Sequence, residues 1–329
     1  MGNRMRRREF IELIGGLAAT TALRPALAEG PSKLVVWISA FGFAPDRPFA
    51  TLFLNGMKEE GFVAGRDFAY VERGGRGIQD AARVAEEAVQ LKPAIILAPA
   101  TLEAVAAKKA TSTIPIVCPA LADAVDLGLI ASEARPGGNV TGIEPYIGGL
   151  HAKQIELARE LLPNAAKIGL LTNDADPKGP PQVPELKAAA QAMGLQIVSA
   201  NADRAEDIET ALQTLADEKI DLVIVLQTTM LLINRSAIAK SALQKRLPTV
   251  YGYREHVGDG GLISYGVDLR WCVRRAAYFA VQILRGAAPR DLPIEFPTSM
   301  WLAANQQTAK ALGITIPPTL LARADEVIE

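Results

Sequence analysis

The sequence predicts an α/β protein of two Rossmann-like lobes joined by a hinge that the chain crosses three times. Three observations predict it. Short apolar, β-branched runs alternate with amphipathic stretches about three turns long, the form of repeated β-α units around a mostly parallel sheet. The alternation is broken by a strong turn, Arg135-Pro136-Gly137-Gly138-Asn139, and then restarts. Beyond a 28-residue leader roughly 300 residues remain, more than one core normally serves.

Taken in order, the first lobe has strands at 34–39, 68–72, 94–98 and 114–119 and helices at 49–60, 78–91 and 101–110. Ile95-Ile96-Leu97 is apolar on both faces, as a strand must be when helices cover each side of the sheet. A short strand at 140–143 and Gly148-Gly149 lead into the first crossing. The second lobe opens with a helix at 149–162, stopped before Pro163, followed by strands at 167–172, 196–200, 222–226 and 249–253. Helices at 183–193, 206–218 and 234–245 fall between them. Gly258 to Gly261 and a strand at 262–265 read as the crossing back, feeding a helix at 269–285. Residues 293–297 read as the third crossing, and 300–304 and 305–312 supply a last strand and helix. Residues 33–143 with 262–295 then form lobe 1, and 144–261 with 296–329 form lobe 2. A single doubly wound domain with a long insertion is the alternative reading.

The leader reads as an export tag. Arg4, Arg6, Arg7 and Arg8 form a basic start, residues 14–23 an apolar run, and Ala26-Leu27-Ala28 an A-x-A site with cleavage after Ala28. Arg7-Arg8-Glu9-Phe10-Ile11 resembles the twin-arginine signal. The apolar run is about half the roughly 20 residues a membrane span needs. A periplasmic location is therefore expected. The leader carries five arginines and two glutamates, so the net charge of -1 becomes -4 without it, and no basic excess points to nucleic acid. Cys118 and Cys272 are too few for a disulfide framework and read as two buried thiols. His151 and His256 have no ligand-spaced neighbours, so neither metal nor cofactor is expected.

Several segments, in order, resemble the solute-binding proteins of ABC transporters, the family that includes the tryptophan-binding lipoproteins. They are the leader, Thr113-Ile114-Pro115-Ile116-Val117, Asp126-Leu127-Gly128-Leu129-Ile130, Arg135-Pro136-Gly137-Gly138-Asn139-Val140-Thr141-Gly142, Gly260-Gly261-Leu262-Ile263-Ser264-Tyr265-Gly266, and Thr308-Ala309-Lys310-Ala311-Leu312-Gly313 before Ile316-Pro317-Pro318. The resemblance implies a type I periplasmic-binding-protein fold, capture of a small solute between lobes, and delivery by a monomer to an ABC permease in the inner membrane.

Ligands in open α/β sheets sit beyond the carboxyl ends of the strands. The candidate binding residues are therefore Ser39, Phe41 and Phe43, then Pro99, Ala100 and Thr101, then Ala120 and Asp123 in the first lobe. In the second they are Thr172, Asn173 and Asp174, Gln227 and Thr228, Tyr253 and Arg254, with Tyr265 near the hinge. Thr101 caps its helix, meets the ligand, or does both, since a capped terminus still offers free N–H groups to a carboxylate. Phe41, Phe43, Tyr253 and Tyr265 offer stacking to a planar group, or Tyr265 packs at the hinge and Phe43 is a loop residue. Arg254 is either a fork for a ligand carboxylate or a surface partner of Glu255, while Asp123 or Asp174 suits an ammonium group. No G-x-S-x-G, H-E-x-x-H or G-x-x-x-x-G-K motif is present, so catalysis is not expected. The reading is a periplasmic protein that closes on a small polar solute of amino-acid or aromatic-carboxylate type; a ligand sensor signalling to a membrane receptor, or an exported enzyme, are the alternatives.

Overall fold

The computed structural model describes residues 33–43, 48–145 and 149–329. The export leader and its cleavage after Ala28 lie outside the described residues. In the first lobe β1 (Leu34–Ser39), α1 (Pro48–Glu59), β2 (Ala69–Gly74), α2 (Ala81–Gln90), β3 (Ile95–Leu97), α3 (Thr101–Ala110), β4 (Ile116–Cys118) and β5 (Val140–Gly142) follow one another. They make a parallel sheet of order β2-β1-β3-β4-β5. Five of the six residues of β1 are buried, so both faces of the strand are covered.

The second lobe contains α4 (Leu150–Leu161), β6 (Lys167–Thr172), α5 (Gly179–Ala192), β7 (Gln196–Asn201), α6 (Asp207–Asp217), β8 (Leu222–Val225), α7 (Thr229–Ile233), α8 (Arg235–Gln244), β9 (Thr249–Tyr251), α9 (Arg254–Gly258) and β10 (Ile263–Gly266). The chain then returns to the first lobe as α10 (Leu269–Leu284), whose Asp268 cap accepts a hydrogen bond from the Arg270 N–H. It ends in the second lobe with β11 (Trp301–Asn305), α11 (Gln306–Leu312), α12 (Pro318–Arg323) and β12 (Glu326–Ile328). The second sheet runs β12-β11-β10-β9-β8-β6-β7, with β10 and β11 antiparallel.

Two of the boundaries that differ from expectation bear on the lobes and the cleft. The strand assigned to lobe 1 within 262–295 is β10, which pairs with β9 and β11 in the second sheet, so the crossing back follows Gly266. Its apolar pattern is the same for either sheet, because the partner strand is not local. Helix α5 starts at Gly179 rather than Val183, since Pro180 and Pro181 fall in a first turn whose N–H groups need no partner. No helix among the described residues is long and apolar enough to cross a membrane.

The first and third crossings lie side by side, with Ile143 bridged to Glu295 and the Glu144 N–H donating to the Glu295 carbonyl at 2.9 Å. One apolar cluster fills the second lobe, and two others line the faces of the first-lobe sheet. Cys118 and Cys272 are free, buried and on opposite faces of that sheet. Two aromatic residues cross between lobes. Phe41, in the loop after β1, packs on the second-lobe core, and Tyr253 from the second lobe is buried in a first-lobe cluster. The lobes are thus closed on one another.

Candidate functional site

The second-lobe wall is built by the loop between β6 and α5. Asn173 is buried, its Nδ2 donating to the Ala202 carbonyl at 2.8 Å. Asp176, only 1 % exposed, accepts the Lys178 N–H and the Thr229 N–H, each at 3.0 Å, and so ties the loop to the start of α7. The loop turns sharply into α5 because position 179 is glycine: a Cβ there would lie 1.9 Å from the Asn173 carbonyl oxygen. Lys178, 6 % exposed, lies near enough to the Tyr253 hydroxyl for each to act on the other's ionisation. Burial pulls its ammonium toward neutrality, but Tyr253 and the Asp176 carboxylate outweigh that and hold its pKa above the ordinary lysine value. Burial pushes the Tyr253 phenol up, so the pair is ammonium and neutral hydroxyl at neutral pH. Gln182 and Gln227 complete the wall: the Gln227 N–H donates to Gln182 Oε1 at 3.0 Å, and Gln227 Nε2 to the Gly252 carbonyl at 3.2 Å.

Behind Tyr253, His256 is buried and stacked on Tyr251, ring centroids 4.4 Å apart, with neither ring nitrogen hydrogen-bonded. Burial lowers its pKa from the ordinary 6.5 to about 3. Its folded pKa lies below its unfolded one, so the unfolded chain takes up the proton first and stability falls as pH drops from about 6.5 toward 3. His256→Phe is expected to flatten that part of the stability curve, read from urea midpoints at pH 4, 5 and 7; an unchanged slope would show that His256 is not its source.

The first-lobe wall is formed by the loop after β4, which the start of α3 holds from behind. Thr101 neither caps its helix nor stands free: its Oγ1 accepts the Ala122 N–H at 2.8 Å and donates to the Ala120 carbonyl at 3.4 Å, fastening the two loops. Glu103, fully buried, accepts the Ala40 N–H at 3.0 Å on Oε1, while Oε2 has no partner. Burial raises its pKa to about 7, against the pull of the N–H groups of Ala40 and Glu103 itself. Asp123 has a positive φ of 51°, its N–H donates to Glu144 Oε1 at 2.9 Å, and its carboxyl is raised by partial burial and by Asp126 and Glu185. Between the walls a cavity near 40 Å³ is bounded by Leu121, Ala122 and Asp123 on one side and by Lys178, Gln182, Glu185, Gln227 and Tyr253 on the other.

Of the sequence candidates, Asp123, Gln227 and Tyr253 meet at this cavity. Thr228 and Asn173 are buried in the second-lobe loops, with Thr228 Oγ1 and Asn173 Oδ1 unpartnered. Ser39 accepts the Phe41 N–H at 3.3 Å, and Pro99 and Ala100 shape the approach to α3. Others are occupied elsewhere. Thr172 is hydrogen-bonded to Asn201 at 3.2 Å, and Asp174 is exposed because the loop needs two more residues before it turns inward. Phe43 packs edge-on against Trp37, centroids 6.4 Å apart. Arg254 opens α9 facing away from the cavity, paired with Glu326 and 5.0 Å from the Trp301 ring. The Tyr265 side chain lines a separate groove with Lys153, Met300 and Arg323. Sequence reasoning missed Glu103, Asp176, Lys178, Gln182 and Glu185. Asp176-Pro177-Lys178-Gly179, with two charges among turn residues just past a strand end, was the available signal for the loop. No group of three or more His, Cys, Asp or Glu residues among those described could hold a metal ion.

Two hinged α/β lobes shut over a polar cleft define a binding clamp of the type I periplasmic-binding-protein class. The chain belongs to the family of ABC transporter substrate binding proteins, which it matches over residues 51–328. It is 27 % identical over 263 residues to a tyrosine-binding protein of Clostridioides difficile strain R20291, covering 80 % of this chain and 75 % of that protein. A conserved domain protein of Vibrio cholerae superposes with a TM-score of 0.84 at 28 % identity, over 90 % of this chain and 99 % of the other. An ABC domain from Streptococcus pneumoniae in complex with L-Trp gives 0.81 at 24 % identity, with the same coverage. The family is one of substrate-binding proteins rather than of enzymes.

Proposed function

We propose that this protein is the periplasmic binding component of an ABC importer and that it captures an amino acid bearing a ring, passing it as a monomer to an inner-membrane permease. The observation that carries the reading is Lys178, a water-excluded ammonium held in the interlobe wall, which offers a ligand carboxylate a charge-assisted hydrogen bond at low local dielectric. The tyrosine-binding relative and the L-Trp complex support the ring, and Tyr253 in the same wall supplies an aromatic face. With the lobes shut, the remaining cavity near 40 Å³ holds only about three waters. The solute therefore arrives with the lobes apart, and closure around it biases the hinge.

A thermal-shift screen against tyrosine, tryptophan, phenylalanine, aromatic acids, nucleosides and sugars tests this. A ring amino acid at a hundredfold excess over its Kd is expected to stabilise the protein by roughly 2.7 kcal/mol. A stronger response to sugars or nucleosides, or chemical conversion of the bound compound, would overturn the proposal.

A further inference from the structure

Two buried carboxylate oxygens among the described residues lack a hydrogen-bond partner, Glu103 Oε2 and Glu255 Oε2. Glu255 has two cations, Arg254 and Arg270, acting on it. Glu103 has none from its own lobe: the charges that reach it are Asp176 and Lys178, both on the opposite wall of the cleft. Asp176 is already spent on two backbone N–H groups and on Lys178. Glu103 therefore presents an unsatisfied acceptor, fully buried, within reach of the charges of Asp176 and Lys178 on the opposite lobe.

We propose that Glu103 is the first-lobe anchor for the ammonium group of the solute, so that the cleft selects zwitterions over the matching deaminated acids and sheds a proton on capturing them. This rests on the amino-acid reading above. Ala40 N–H fixes Oε1 and leaves Oε2 for the incoming donor; Thr228 Oγ1 and Asn173 Oδ1, both buried and unpartnered, are available acceptors from the second lobe. Lys178 meanwhile takes the other end of the zwitterion. The groups acting on Glu103 are Asp176, which favours its neutral form, and Lys178, which favours the charged one; the Cys118 thiol at the end of β4 is pushed by burial to about 12 and stays neutral. Empty, Glu103 sits near pH 7 because no cation on its lobe offsets its burial. An ammonium group supplies that cation, so the carboxyl ionises and its proton leaves to solvent. Apparent affinity for the amino acid then rises with pH, by about tenfold between pH 6 and pH 8 for a group titrating near 7.

The test is calorimetric titration of the purified protein with L-tyrosine and L-tryptophan and with 3-(4-hydroxyphenyl)propionate and 3-indolepropionate, at pH 6 and pH 8, in two buffers of different ionisation enthalpy. Expected for the amino acids is release of most of a proton at pH 6 and little at pH 8, with none for the deaminated acids. Glu103→Gln is expected to abolish the release and weaken the amino acids about tenfold or more while shifting the deaminated acids less than about threefold. Amino-acid binding with no buffer dependence, or equal weakening of both ligand types by Glu103→Gln, would sink the assignment and leave the amino-acid reading standing. Failure of every ring amino acid to bind would remove both. If the variant does not fold, the buffer dependence of the natural protein decides alone.

Discussion

Lys178→Met is expected to weaken capture of a carboxylate-bearing solute by roughly 100-fold or more. The stem of lysine and the methionine side chain are similar in volume, so the walls keep their shape while the charge is removed. What is lost is the partner that the solute carboxylate needs once the lobes have excluded water. Truncating one member of a buried, hydrogen-bonded charge pair costs roughly 2–5 kcal/mol, largely because the other member is left unpaired. The apo protein tolerates the change better, since Asp176 keeps the Lys178 and Thr229 backbone N–H groups as donors. Calorimetry with the best ligand of the screen measures the effect; an affinity within threefold of the natural protein would remove Lys178 from the site.

The second large effect is on folding. Gly142 has φ of 149°, a region that side-chain-bearing residues rarely occupy, and a Cβ there would lie 1.9 Å from the Cys118 carbonyl oxygen. Neither strand can retreat. Gly142 is registered against Cys118 in the β4–β5 ladder, and its carbonyl accepts the Glu295 N–H at 3.0 Å from the neighbouring crossing. Gly142→Ala is therefore expected to cost about 3 kcal/mol or more, combining backbone strain with overpacking. Urea unfolding of the two proteins gives the number, and a loss below about 1 kcal/mol would mean that the hinge region yields where its packing says it cannot.

Much of the architecture was legible because it is written in local patterns. The runs at 34–39 and 167–172 emerge as β1 and β6, and 101–110 as α3, with the expected ends. The apolar alternation and the amphipathic period decide such elements without reference to the rest of the chain. Elements too short to carry a period were not legible: α7 and α9 have five residues each, and the edge strand β12 has three, one of them Glu326. Strand partners are also not local, which is why β10 was placed in the wrong sheet. The site followed the same division. Which loops reach the cleft follows from strand direction, and Asp123, Gln227 and Tyr253, chosen that way, line the cavity. Which residue of a loop turns inward is decided by backbone geometry, as when two residues separate exposed Asp174 from buried Asp176. Glu103 was hidden for a different reason, because a glutamate in the first turn of a helix has an ordinary place there beside the positive end of the dipole.

Phe41 and Tyr253 each lodge in the opposite lobe, and swinging the halves apart strips both rings of that shelter at once. Full burial of one such ring is worth roughly 1.5–3 kcal/mol; Tyr253 is 3 % exposed and Phe41 half-buried, so both contacts favour the shut form. Capture then scales with the fraction of molecules momentarily ajar, and observed affinity is the intrinsic affinity reduced by that fraction. Trimming Phe41, which does not line the cavity, would make the protein a faster catcher and a leakier vessel, so the pace of capture is tied to a side chain outside the pocket.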